Sequence, residues 1–133
     1  MAHTLIPTNA LFVFLAKSMA NDTPGTYAEY MALGTGIGQG ATDNTLKAET
    51  EVAGLTRAKG TLSTVKTTID NDTSQLTLAF TAAGAATVTE VGQFVNAVKD
   101  AGNMHLYGTF GTGIPLESGD KITPTLQCQM KAD

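Results

Sequence analysis

Apolar and polar side chains alternate in one short run after another through the second half of the chain. Leu76, Leu78 and Phe80 alternate with Gln75, Thr77, Ala79 and Thr81, and Ile122, Leu126, Cys128 and Met130 alternate with Thr123, Thr125, Gln127 and Gln129. Period-2 alternation is what a strand needs when one face meets a core and the other meets water. The same reasoning predicts strands over Tyr27–Leu33, Leu55–Ile69 (rich in Thr and Val), Ser74–Ala82, Thr87–Val95, Met104–Phe110 and Lys121–Met130. Asp70-Asn71-Asp72-Thr73, Lys99 to Asn103, Gly111 to Gly113 and Glu117 to Asp120 supply the turns between them. Burying Leu76, Leu78 and Phe80 contributes roughly 5–8 kcal/mol before entropy costs, so that face is well specified. Pro124 cannot donate a ladder hydrogen bond and belongs at the start of the last strand or on an edge.

Only the N-terminal segment has a helical period. Leu11, Phe14, Leu15 and Ser18 or Met19 share one face, Thr8 or Asn9 can cap the free amides, and Pro7 prevents extension backwards. Asn21-Asp22 reads as its stop and Thr23-Pro24-Gly25 as a turn. Residues 41–50 are polar, with room for a helical turn over Leu46–Glu49. The fold expected is mainly β: an antiparallel β-sandwich, jelly-roll-like in its connections, with a short N-terminal α-helix. It divides into an arm and helix over residues 1–25 and a single globular β domain over 26–133.

A length of 133 residues suits one domain, and 42% hydrophobic residues supply a core. Only 15% of residues are charged, which suggests surface hidden against partners. The net charge of −4, with eight scattered basic residues, argues against nucleic acid, which needs clustered Lys and Arg. Cys128, the single cysteine, has no disulfide partner within the chain and reads as a buried small hydrophobe. The apolar run from Leu11 to Ala16 falls short of the roughly 20 residues that cross a bilayer. No positively charged leader precedes it, so no membrane anchor or export signal is expected.

Candidate chemistry is sparse. Gly36-Ile37-Gly38-Gln39-Gly40-Ala41 fits the relaxed dinucleotide pattern G-x-G-x-x-A. That pattern needs a helix to follow and a βαβ unit around it. Neither is expected, so the segment reads as a loop at a strand end. Asp70-Asn71-Asp72-Thr73-Ser74 offers alternate oxygen ligands but lacks the Gly and bidentate Glu of an EF-hand. His3 and His105 are far apart, and His105 falls out of phase with Met104 and Leu106. No G-x-S-x-G turn marks a nucleophile. No catalytic, cofactor-binding or metal-binding residue is assigned. Phe12, Phe14, Tyr27 and Tyr30 could together form an exposed apolar patch.

An ordered series of short motifs carries a resemblance. It runs through Thr8-Asn9-Ala10, Tyr30-Met31-Ala32-Leu33-Gly34-Thr35-Gly36, Gly54-Leu55-Thr56-Arg57-Ala58, Asn71-Asp72-Thr73, Val88-Thr89-Glu90-Val91-Gly92-Gln93-Phe94, Asn103-Met104-His105-Leu106-Tyr107 and Ser118-Gly119-Asp120-Lys121-Ile122. From Thr8 to the end the chain resembles small structural proteins of tailed bacteriophages, described as tail-fibre-like or head decoration proteins. It departs from their pattern at Val95-Asn96-Ala97 and at Pro124. The resemblance implies a non-enzymatic virion protein, assembled in the host cytoplasm and oligomeric as a trimer or dimer. The first expectation is a capsid decoration or cement protein that binds the major capsid protein and stabilises the head. The alternatives are a tail, baseplate or fibre-base component bound to a tail protein, and a carbohydrate-binding receptor module. Leu11, Phe12, Phe14 and Leu15 of the helix and Gln129 and Met130 near the C-terminus are the expected partner contacts. Removing residues 1–20 is expected to abolish capsid binding and leave the β domain folded.

Overall fold

The computed structural model describes residues 5–19 and 27–131. The fold is mainly β, with several antiparallel sheets and one short helix. Its spine is a long hairpin of β7 (Ala86–Phe94) and β8 (Met104–Leu116), paired from Ala86↔Leu116 to Phe94↔Met104 with two register shifts. Asp100 and Asn103 take positive φ values of 61° and 69° in the connection, a conformation that Asn and Asp tolerate. β2 (Tyr30–Gly34) adds to β7, β3 (Ala58–Lys59) adds to β2, and β1 (Leu5–Pro7) adds to β8, giving the order β1-β8-β7-β2-β3. β1 was not legible as a strand. Its three residues are too few to show alternation, and Pro7 sits on an edge where a missing donor costs little.

Three expected long strands are broken: Leu55–Ile69 yields only β3 and β4 (Thr61–Val65), which belong to different sheets, and the other two break at the same level as each other. Ser74–Ala82 becomes β5 (Thr73–Thr77) and β6 (Phe80–Thr81), and Lys121–Met130 becomes β9 (Lys121–Ile122) and β10 (Thr125–Gln129). Thr77 pairs with Thr125 and Phe80 with Ile122, so Leu78-Ala79 lies opposite Thr123-Pro124. Pro124 has no N–H, and only its carbonyl is used, by the Leu78 amide at 3.4 Å. The chain therefore changes sheet there: β10, β5 and β4 (Thr61–Val65) form one sheet, and β6 with β9 forms another. None of the three sheets closes on itself among the described residues. Gly111 to Gly113, expected as a turn, lies within β8. The helical turn over Leu46–Glu49 does not form, and that segment contributes a single bridge, Gly34↔Glu49.

Alternation along β2 explains why both faces of the central sheet are covered. Met31 and Leu33 enter a core with Leu76, Phe80, Val88, Val91 and Leu126. Ala32 points the other way, into a second cluster with Leu46, Phe94, Met104 and Tyr107. Tyr30, expected in an exposed patch, packs half-buried against that second cluster.

The helix α1 (Asn9–Met19) starts where its capping residues predict. Thr8 is its cap: wholly buried, its hydroxyl accepts the Leu11 amide at 3.3 Å and donates to the carbonyl of Met104. The Thr8 amide donates to the His105 carbonyl at 3.0 Å, tying the start of α1 to β8. The stop at Asn21-Asp22 and the turn at Thr23-Pro24-Gly25 lie outside the described residues.

Candidate functional site

An 11-residue helix with one charged residue, Lys17, has too little polar surface to face water all round. Leu11 is buried, and Phe14 and Leu15 are half-buried against the body of the protein. Phe12 and Val13 stand on the opposite side at 56% and 55% exposure. Met19, a candidate for the inner face, is 90% exposed.

Beneath α1 lies a cavity of about 170 Å³, walled by Leu11, Phe14 and Leu15 of the helix, Gln93 of β7, His105 of β8 and Cys128 of β10. Tyr27, Leu62 and Met130 line it too, and all three are exposed. The imidazole of His105 lies 4.8 Å, centroid to centroid, from the Phe14 ring in a tilted contact. His105, out of phase with Met104 and Leu106 in the sequence, is the residue that the register shift between Gln93 and Phe94 leaves opposite no partner, and it is buried. Burial pushes its pKa down to about 4. Gln93 donates from Nε2 to the Ala28 carbonyl at 2.7 Å, and its Oε1 is buried with no partner among the described residues. Burial also pushes the Cys128 thiol up, away from thiolate.

Of the six residues expected as partner contacts, Leu11, Phe14, Leu15 and Met130 converge on this one cavity. Phe12 lies on the outer side of α1. Gln129 turns elsewhere: its amide donates to Asp72 at 2.9 Å and to the Thr68 hydroxyl at 3.0 Å. Gln93 and His105 were missed as cavity residues, since the bulge that leaves His105 unpaired is announced by no periodicity.

The glycine-rich segment has a different use. Gly36, Lys47 and Ala48 donate their backbone amides to the carboxylate of Glu90 at 2.9, 3.0 and 2.8 Å, and the Gln39 amide joins them. Glu90 is wholly buried on β7. The loop thus cradles a carboxylate of its own chain where a dinucleotide fold would cradle a phosphate. Gly36 permits this approach, because a Cβ there would lie 2.8 Å from both Glu90 Oε2 and the Ala48 nitrogen.

A second buried ionic group ties two connections together. Arg57 donates to Glu49 from Nε at 3.1 Å and from Nη2 at 2.7 Å, with both side chains 1% exposed. Its guanidinium also reaches the Asn96 and Ala101 carbonyls and stacks 3.7 Å above the Phe94 ring. At the 66–72 turn, Asp72 accepts the amides of Thr67, Thr68 and Ile69 at 2.9, 2.9 and 3.1 Å. Burial alone would raise its carboxyl, but these bonds and the Gln129 amide outweigh it and hold it well below the usual carboxylate range. Its lone pairs are thus engaged by the chain itself.

A larger cavity of about 530 Å³ lies between β1, β8 and the β9–β10 segment, walled chiefly by Leu5, Phe110, Ile114 and Ile122, with no ionisable side chain among its described walls. No group of three or more His, Cys, Asp or Glu is placed to hold a metal ion among the described residues. Nor is any described helix long and apolar enough to cross a membrane. Compared with known proteins, the chain matches no family model, no curated protein and no solved structure.

Proposed function

We propose that this chain is a non-enzymatic structural subunit that works by contact, a decoration or cement protein on the head of a tailed bacteriophage. In that role it binds the lattice of the major capsid protein, as a dimer or trimer, and its sheets are arranged as a jelly-roll-like sandwich. The observation that carries the reading is the apolar surface left around α1. Phe12, Val13 and Met19 on the helix, and Tyr27, Leu62 and Met130 beside the cavity, are all exposed. A surface with that many large apolar groups near one element marks a partner site. The buried carboxylates of Glu49, Glu90 and Asp72 support the reading from the other side, being engaged by internal donors that brace loops. Many symmetry-related copies turn a modest contact per copy into firm attachment.

The test is to mix purified protein with undecorated heads and count bound copies. Phe12→Ser with Val13→Ser should abolish binding and leave the fold intact. Deleting residues 1–20 is a poorer probe, since it removes β1 from β8 and the Thr8 anchor as well. Occupancy of hundreds of copies supports the head. Roughly three to twelve would move the protein to the tail or baseplate. Binding to glycans in place of particles would favour a receptor module.

A further inference from the structure

The edge strands of this fold are unequally guarded. Natural sheets protect an edge by brevity, proline or an edge lysine, because unpaired backbone groups otherwise recruit another strand. β1 has three residues and Pro7, β3 has two residues and Lys59, and β6 and β9 have two residues each. β10 follows Pro124 and shares a cavity wall with Leu5 of β1. β4 has none of these devices. Thr61-Leu62-Ser63-Thr64-Val65 contains no charge, proline or glycine, and it pairs with β5 through five consecutive residues without a bulge. Residues 61–64 are exposed. Among the described residues, the backbone of 61–65 makes no hydrogen bond except to β5, so its outward N–H and C=O groups are unspent. Leu62 adds a second observation. It shares a row and a face with Leu76 and Leu126, yet it is 39% exposed where those two are buried. On its open side it lacks a neighbour.

We infer that two copies of this chain pair β4 with β4, antiparallel about a two-fold axis at Ser63, joining two three-stranded sheets into one of six strands. The inference rests on the reading of the chain as an oligomeric contact protein, and it selects the dimer. A sheet edge accepts a strand, because its donors and acceptors repeat at the spacing of a backbone. A second copy is the strand that this sequence suits. Pairing about the axis sets Ser63 opposite its own counterpart and Leu62 opposite the other copy's Thr64. The two Leu62 side chains then become diagonal neighbours on the apolar face, within the roughly 7–8 Å that long side chains span. A charge at or beside the axis would meet its own like, and residues 61–65 carry none. The flanking Lys59 and Lys66 are engaged within their own chain, by Glu29 at 3.5 Å and Asp70 at 3.7 Å. Such an interface uses the same patch on both copies and closes at two.

The experiment uses the full-length protein in sedimentation equilibrium, where a reversible monomer–dimer equilibrium is expected. Ser63→Lys sets two like charges on the axis from an exposed position. It should weaken dimerisation at least tenfold and leave the melting temperature at high dilution unchanged. Register is read with single cysteines in a Cys128→Ala background. Ser63→Cys should cross-link to a dimer under mild oxidation at least tenfold faster than Thr61→Cys. Thr61 faces the other copy's Val65 in this register, about 13 Å along the strand from its own counterpart, beyond the reach of a disulfide. A mixture of Thr61→Cys and Val65→Cys proteins should cross-link to the heterodimer. A protein that stays monomeric to millimolar concentration overturns the inference, as does a trimer. A dimer indifferent to Ser63→Lys, or equal cross-linking at positions 61 and 63, overturns it too. Heads decorated by a monomer would sink this inference and leave the decoration role standing. A β4 dimer that binds no particle would do the reverse.

Discussion

Glu90 Oε2 accepts the backbone N–H of Gly36 across 2.9 Å, joining the middle of β7 to the loop that leaves β2. Three amides and one side-chain amide converge on that carboxylate, so it is an anion-binding loop whose anion is covalently attached. Glu90→Gln places an NH2 group among those donors and leaves at least one of them unpaired. The expected loss is about 1–3 kcal/mol in urea denaturation. Gly36→Ala should cost a similar amount, about 1–3 kcal/mol, since the new Cβ would lie 2.6 Å from that of Lys47.

The Arg57–Glu49 pair predicts a steeper loss. Arg57→Ala strands a carboxylate that is 1% exposed, and breaking a buried pair in this way costs about 3–5 kcal/mol. Arg57→Lys keeps the charge but not the two-pronged geometry or the stacking on Phe94, so an intermediate loss is expected. Stability of the two variants by chemical denaturation distinguishes fork from charge.

Acid should destabilise the protein in two separable stages. His105 has a folded pKa of about 4, below its ordinary value near 6.5, because burial disfavours the charged ring. The unfolded chain then binds the proton first, so stability falls as pH drops from about 6.5 toward 4. Asp72 is depressed in the folded state, and its stabilising share is present above about 4 and is lost below that as the carboxylate is protonated. His105→Gln should flatten the upper stage and Asp72→Asn the lower one, read as melting temperature against pH.

The two sides of α1 should respond oppositely to truncation. Leu11→Ala empties a buried site and should cost about 2–5 kcal/mol. Phe12→Ala, one residue on, removes a ring that is 56% exposed and should change stability by no more than about 0.5 kcal/mol. Thermal melts of the isolated protein measure both.

What was legible in the chain followed from period and from turn chemistry. The helix from Asn9, the Thr8 cap and the β4–β5 hairpin with Asn71 at φ 61° are all local patterns, and local patterns survive folding. The broken strands were misread because alternation continues across Leu78-Ala79 even where pairing does not, and Pro124 announced the break on only one of the two strands. The cavity was half visible. Leu11, Phe14, Leu15 and Met130 could be singled out as apolar groups near the two ends of the chain. Gln93 and His105 meet them only through a one-residue bulge between β7 and β8, a property of two strands together. Glu90 looked like any polar position in an alternating run, because its partners come from residues more than forty positions away in sequence.

The paired interruption at Leu78-Ala79 and Thr123-Pro124 has a mechanical outcome. Each of two neighbouring chain segments contributes to both minor sheets, β5 with β6 on one and β10 with β9 on the other, so those layers are stitched twice by covalent backbone. Neither layer can peel away without pulling on the other, and Phe80 and Leu126 anchor the seam in the same apolar core. Amide exchange should therefore report one shared opening for β5, β6, β9 and β10, the behaviour of a subunit that yields all at once under load and not by fraying.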